Sequence, residues 1–171
     1  MKIIFLDIDG VLNSVMYDAH RQEERADNRI DMTRVKLLAD IVNATGAKIV
    51  LSSTWREDWN KFPELCGVDG EYINECLAKY GLSIMDKTPC LNYSDERQVE
   101  ILNWLAHHTD EVESFVVLDD INCGWSVLIR NTVITNPYGY GLEESHVQKA
   151  IDILKDKLAK TPHIPSIIPC A

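Results

Sequence analysis

The sequence predicts an α/β fold built on a parallel sheet, and two observations carry that prediction. Short apolar runs rich in β-branched and aromatic residues alternate with longer stretches of helical periodicity. Three of the runs stop at polar side chains: the first at Asp7 and Asp9, the second at Ser52, the third at Asp119 and Asp120. In open parallel sheets ligands bind beyond the carboxyl ends of the strands, so these three ends should share one crevice.

The elements follow in order. Lys2 to Leu6 is a short apolar run of strand character. Residues two apart on a strand point the same way, so Asp7 and Asp9 should emerge close together where it ends. Gly10 lets the chain turn there without a Cβ penalty, and Asn13 is suited to closing the turn. A polar segment covers 13–29. A helix is expected over 31–45, with Val35, Leu38, Ile41 and Val42 on one face and Gly46 as its stop. A second buried strand spans 47–51 and ends at Ser52-Ser53-Thr54.

The stretch 55–92 is the least regular. It should hold two short helices, one after Thr54 and one over 71–80, joined by a turn containing Pro63, Gly67 and Gly70. A helix over 95–107 opens with Asp95 and Gln98 as a capping pair and carries Val99, Leu102 and Leu105. Strands are expected at 115–118 and 132–135. A last helix over 143–158 buries Val147, Ile151, Leu154 and Leu158. The tail after Thr161 carries three prolines and should be extended. The expected organisation is one domain over 1–160, with a small helical insertion at 54–96 and a tail at 161–171.

With 171 residues the chain can bury a proper core. Its net charge of −10 disfavours broad nonspecific binding to nucleic acid or anionic membranes. Arg21, Arg25, Arg29 and Arg34 alternate with acids, as on a solvated face. The five cysteines are odd in number and include no Cys-x-x-Cys pair, which predicts reduced thiols in a cytoplasmic protein. The first apolar run is too short for a signal peptide and is broken by Asp7 and Asp9. No stretch is long enough to span a membrane.

A core strand that ends in two anions needs compensation, and a bound cation is the simplest kind. The alternative is a pair of solvated acids in a turn. An EF-hand is excluded, because no helix precedes Asp7 and the glycine comes too early. Four carboxylates in one crevice repel one another unless something positive lies between them. Oxygen ligands without His or Cys suit Mg²⁺, which commonly also holds a substrate phosphate. A carboxylate beside such a phosphate can attack phosphorus, and a second can move the leaving-group proton. A hydroxyl and one cationic side chain would hold the equatorial phosphoryl oxygens.

These residues resemble the motifs of the haloacid dehalogenase (HAD) superfamily of phosphohydrolases. Asp7-Ile8-Asp9-Gly10-Val11 is similar to its first motif, Ile49-Val50-Leu51-Ser52 to the second and Leu118-Asp119-Asp120 to the fourth. The third motif is a single Lys or Arg; Arg97 fits it best and Lys87 is the rival. Ser52-Ser53-Thr54-Trp55-Arg56 and Gly141-Leu142 also resemble a small bacterial and phage branch, associated in part with RNA-end repair proteins.

The resemblance implies a Rossmann-like three-layer sandwich with a minimal cap. It implies Asp7 as nucleophile, Asp9 as general acid and base, Ser52 as phosphoryl ligand and Arg97 as charge stabiliser. It implies Mg²⁺ held by Asp7, the Asp9 backbone carbonyl, and Asp119 or Asp120. Gly10, Ser53, Arg56 and Trp125 are candidate substrate contacts. Arg56 could instead brace a motif carboxylate, whereas Trp104 belongs to the core. A short cap leaves the site open, which suits a phosphate on a macromolecule such as a polynucleotide end or a phosphoprotein; the substrate expected is a nucleotide or polynucleotide-end phosphate. A phosphoprotein, or a noncatalytic phosphate- or metal-binding role within an assembly, is the alternative.

Overall fold

The computed structural model describes residues 1–24, 29–91, 97–122 and 124–156, with the side chains of 21–24 excepted. Five parallel strands form one sheet in the order β3-β2-β1-β4-β5. They are β1 (Lys2–Leu6), β2 (Lys48–Leu51), β3 (Ile84–Lys87), β4 (Ser114–Asp119) and β5 (Thr132–Ile134). The helices are α1 (Val15–Glu24), α2 (Met32–Thr45), α3 (Val68–Ala78), α4 (Arg97–His107) and α5 (Glu144–Lys155).

Central strands with helices on both faces must be apolar on both faces. Ile3, Ile4, Phe5 and Leu6 of β1 are accordingly all fully buried. The strand's alternation sorts them into two cores. Ile4 and Leu6 join Ile49, Leu51, Val116 and Leu118 beneath α2, α3 and α5. Ile3 and Phe5 join Val50, Phe115 and Val117 beneath Ile101, Trp104 and Leu105 of α4. Phe5 meets Trp104 and Phe115 edge-on, at centroid distances of 5.4 and 5.9 Å. The result is the predicted three-layer, Rossmann-like arrangement.

Capping sets the limits of α2. Asp31 accepts from Thr33 N (2.8 Å) at its start, and Gly46, at φ +70°, ends it by donating to Val42 O. The segment expected to be merely polar, 13–29, contains α1. The stretch expected as a helical insertion, 54–96, holds a 3-10 turn over Thr54–Glu57, a second over Pro63–Leu65, and α3. It also supplies β3, an edge strand of the sheet, so it is not wholly helical. The Asp95 side of the expected capping pair and the tail 161–171 lie outside the described residues. Among the described residues no helix is long and apolar enough to cross a membrane.

Candidate active site

Register builds the site. Leu6 is paired with both Leu51 and Leu118, so the next residues, Asp7, Ser52 and Asp119, stand at one level. Backbone bonds continue past the strands: Asp7 N donates to Leu118 O (3.0 Å) and Ser52 N to Leu6 O (2.9 Å). Each of the three continues the row that faces α4, after Phe5, Val50 and Val117 respectively. Arg97, at the start of α4, meets them there. Its Nη1 donates to Asp7 Oδ2 (2.5 Å) and to Asp119 Oδ2 (2.6 Å).

Lys87, the rival for that position, lies elsewhere. Its Nζ donates to the carbonyls of Arg56 (2.7 Å) and Trp59 (2.6 Å), holding the chain beyond β2.

The electrostatics are crowded. Burial, then the charge of Asp7, push the Asp119 carboxyl up to about 6, although Arg97 opposes this. Burial and Asp7 also raise Asp120. Burial alone would lower Arg97, but Asp7 and Asp119 outweigh it and hold the guanidinium above its ordinary value. Carboxylate oxygens of Asp7, Asp119 and Asp120 lie within 4.8 Å of one another. A compact, partly buried, all-oxygen set fits a hard divalent cation, which would relieve the repulsion. The Asp9 carboxylate is not one of this set and is held by Asn13 and Trp55; the Mg²⁺ contact expected there is through its backbone carbonyl.

Asp119 sets a pH signature for the metal-free protein. Its folded pKa is raised, so its stabilising effect is complete below 3.8 and is lost as pH rises through about 6. Asp119→Asn removes that titration. Relative to wild type, the variant should therefore gain up to about 3 kcal/mol as pH rises from 4 to 7. Urea unfolding of both proteins across that range, in EDTA, checks it; a constant difference would contradict the assignment.

The turn after β1 follows from Gly10. It has φ +73°, and a Cβ there would lie 2.4 Å from Asp120 Oδ2. Asn13 closes the turn as expected: Gly10 N donates to its Oδ1 (3.0 Å), and its Nδ2 donates to Asp9 Oδ1 (2.8 Å). Gly141 braces the same turn. A Cβ on it would lie 2.6 Å from Val11 O, and Leu142 N donates to that carbonyl (2.9 Å). Asp9 is exposed, and its Oδ2 accepts from Trp55 Nε1 (3.0 Å).

Ser52 is fully buried and its Oγ has no hydrogen-bond partner among the described residues. A buried hydroxyl without a partner is costly unless a ligand completes it.

Three of the expected substrate contacts have partners within the fold. Ser53 is fully buried and its Oγ accepts from Trp55 N (3.4 Å), capping the 3-10 turn. Trp125 packs in the α4-side core and donates through Nε1 to Ile121 O (2.6 Å), so its ring is not offered to a base. Arg56 is buried. Its Nη2 makes a bidentate pair with Glu100 (2.8 and 2.8 Å), and its Nη1 donates to the carbonyls of Ser52 (2.8 Å) and Ser53 (3.1 Å). It braces the backbone behind Ser52 rather than a motif carboxylate or a phosphate. Glu100 escaped the sequence reading. It lies one turn beyond Arg97, and its Oε1 also accepts from Leu91 N (3.1 Å).

A parallel sheet in this order, with acids ending its central strand and the adjacent β4 and a cation on the covering helix, defines a HAD-type protein. The chain belongs to the family described as the HAD domain in Swiss Army Knife RNA repair proteins, which it matches over residues 3–147. No curated protein and no solved structure matches it significantly. Membership indicates phosphohydrolase chemistry.

Proposed function

We propose that the protein is a Mg²⁺-dependent phosphomonoesterase that works through an aspartyl-phosphate. The observation that carries this reading is the buried, unpartnered Ser52 Oγ at the level of Asp7, Asp119 and Arg97. Asp7 attacks phosphorus, the bond to the leaving oxygen breaks, and Asp9 gives that oxygen its proton. Asp9, now a carboxylate, takes a proton from water; the water oxygen attacks phosphorus, and the Asp7–phosphorus bond breaks to release inorganic phosphate. Ser52 Oγ and Arg97 donate to the equatorial phosphoryl oxygens, where charge spreads in the transition state. Asp7, Asp119 and Asp120 would hold Mg²⁺, which supplies further neutralisation of phosphoryl charge.

The exposure of Asp9 supports a substrate whose body remains outside the crevice. The family's description, which refers to RNA repair, supports the phosphorylated end of a polynucleotide. The expected result is hydrolysis of p-nitrophenyl phosphate with Mg²⁺ and none in EDTA. In competition, phosphorylated oligonucleotide ends should outrank sugar phosphates and phosphopeptides. Folded, Mg²⁺-loaded protein with no activity on any of these would favour a noncatalytic binding module instead.

A further inference from the structure

We propose that Trp55 is a positioning residue for Asp9, aiming its carboxylate for proton transfer. The inference rests on Asp9 being the general acid and base.

The indole N–H can only donate, so at Asp9 Oδ2 it occupies one acceptor direction and leaves another for the proton. Asn13 does the same at Oδ1. Two donors, one on each oxygen, fix the plane of an otherwise exposed carboxylate.

The indole is itself held. The Arg29 guanidinium carbon lies 5.0 Å from its ring centroid and 4.8 Å from that of Tyr72. The Tyr72 ring lies 6.4 Å from Trp55, at 38°. Arg29 is anchored in turn, by Asp69 at Nη1 (2.6 Å) and through its backbone N to the Tyr72 hydroxyl (2.9 Å). Beneath the ring, Ser53 caps Trp55 N.

Packing needs none of the polar chemistry; a phenylalanine would fill much of the same space. What the indole adds is a donor at Asp9. An exposed hydrogen bond contributes little to folding stability, but aiming a proton donor acts directly on the rate. Adjacent residues of one 3-10 turn thus serve two groups: Trp55 orients Asp9, and Arg56 fixes the backbone of Ser52.

The test is Trp55→Phe, assayed on two leaving groups in the intact protein with Mg²⁺. p-Nitrophenolate departs without a proton, whereas an alkoxide from glycerol 2-phosphate needs one. The ratio kcat/KM covers steps only through leaving-group departure. It should fall about tenfold or more on glycerol 2-phosphate and less than about threefold on p-nitrophenyl phosphate. In an Asp9→Asn background, Trp55→Phe should cause no further loss on glycerol 2-phosphate.

Arg29→Met loosens the indole but keeps its N–H, and should give the same selective loss, smaller. It decides the matter if Trp55→Phe does not fold. Equal losses on both substrates, or none, overturn the positioning role while leaving the phosphatase reading intact. A wild type inactive on both substrates and on phosphorylated oligonucleotide ends overturns that reading, and the positioning role with it.

Discussion

The Asp7→Asn variant is expected to fold and to lose turnover by about 10⁴-fold or more. The amide matches the carboxyl in size, and its oxygen can still accept from Ile8 N, as Asp7 Oδ1 does at 2.8 Å, while Arg97 loses one acceptor but keeps Asp119. It cannot attack phosphorus. The variant has a second expected consequence, visible without substrate. The charge of Asp7 is one cause of the raised Asp119 pKa, so removing it should move Asp119 down from about 6. Carboxyl NMR of the metal-free proteins would follow that titration. Retained turnover would place the nucleophile elsewhere; an unmoved Asp119 would mean that burial alone sets its pKa.

The second large effect is on stability. Arg56→Met should destabilise the protein by about 3–5 kcal/mol, because Glu100 is left charged and buried without its partner. Their side chains are 8% and 6% exposed, so water cannot substitute for the missing guanidinium. Replacing both, as Arg56→Met with Glu100→Leu, should recover most of that loss, since apolar pairs of similar volume commonly match a buried ion pair. Thermal melts of the three proteins check this. In a protein of this size the single variant should melt roughly 10 °C lower. The double variant should still bind inorganic phosphate less well than wild type, because Arg56 no longer holds the Ser52 carbonyl. A single variant as stable as wild type would contradict the buried-pair assignment.

The strand ends were the legible part of this protein. β1, β2 and β4 are continuous apolar runs, as strands covered on both faces must be, and their terminal polar residues mark the crevice. β3 was not legible. It is the four-residue stretch Ile84–Lys87, with Ile84 alone buried, too short and too polar for a pattern to register. α1 escaped because Val15 and Met16 are exposed, so no apolar stripe announces it. Arg97 and Lys87 are equivalent as letters; only folding shows that Lys87 already binds two carbonyls. The fate of Arg56 depends on Glu100, 44 residues away, and that of Trp125 on packing beneath α4. Local pattern carries no trace of either contact.

The strand order also governs when the site can come into being. β2, β3 and the helices α1 to α4 come between β1 and β4 in the chain, yet β1 and β4 are neighbours in the sheet, with Lys2 opposite Ser114. During synthesis β1 must therefore wait for the intervening chain, up to Ser114 and beyond, before both its edges are covered. Closing so long a loop is entropically slow, and unpaired parallel strands are exposed to aggregation meanwhile. Asp7 and Asp119 meet only at that closure, so incomplete chains should carry no reactive centre.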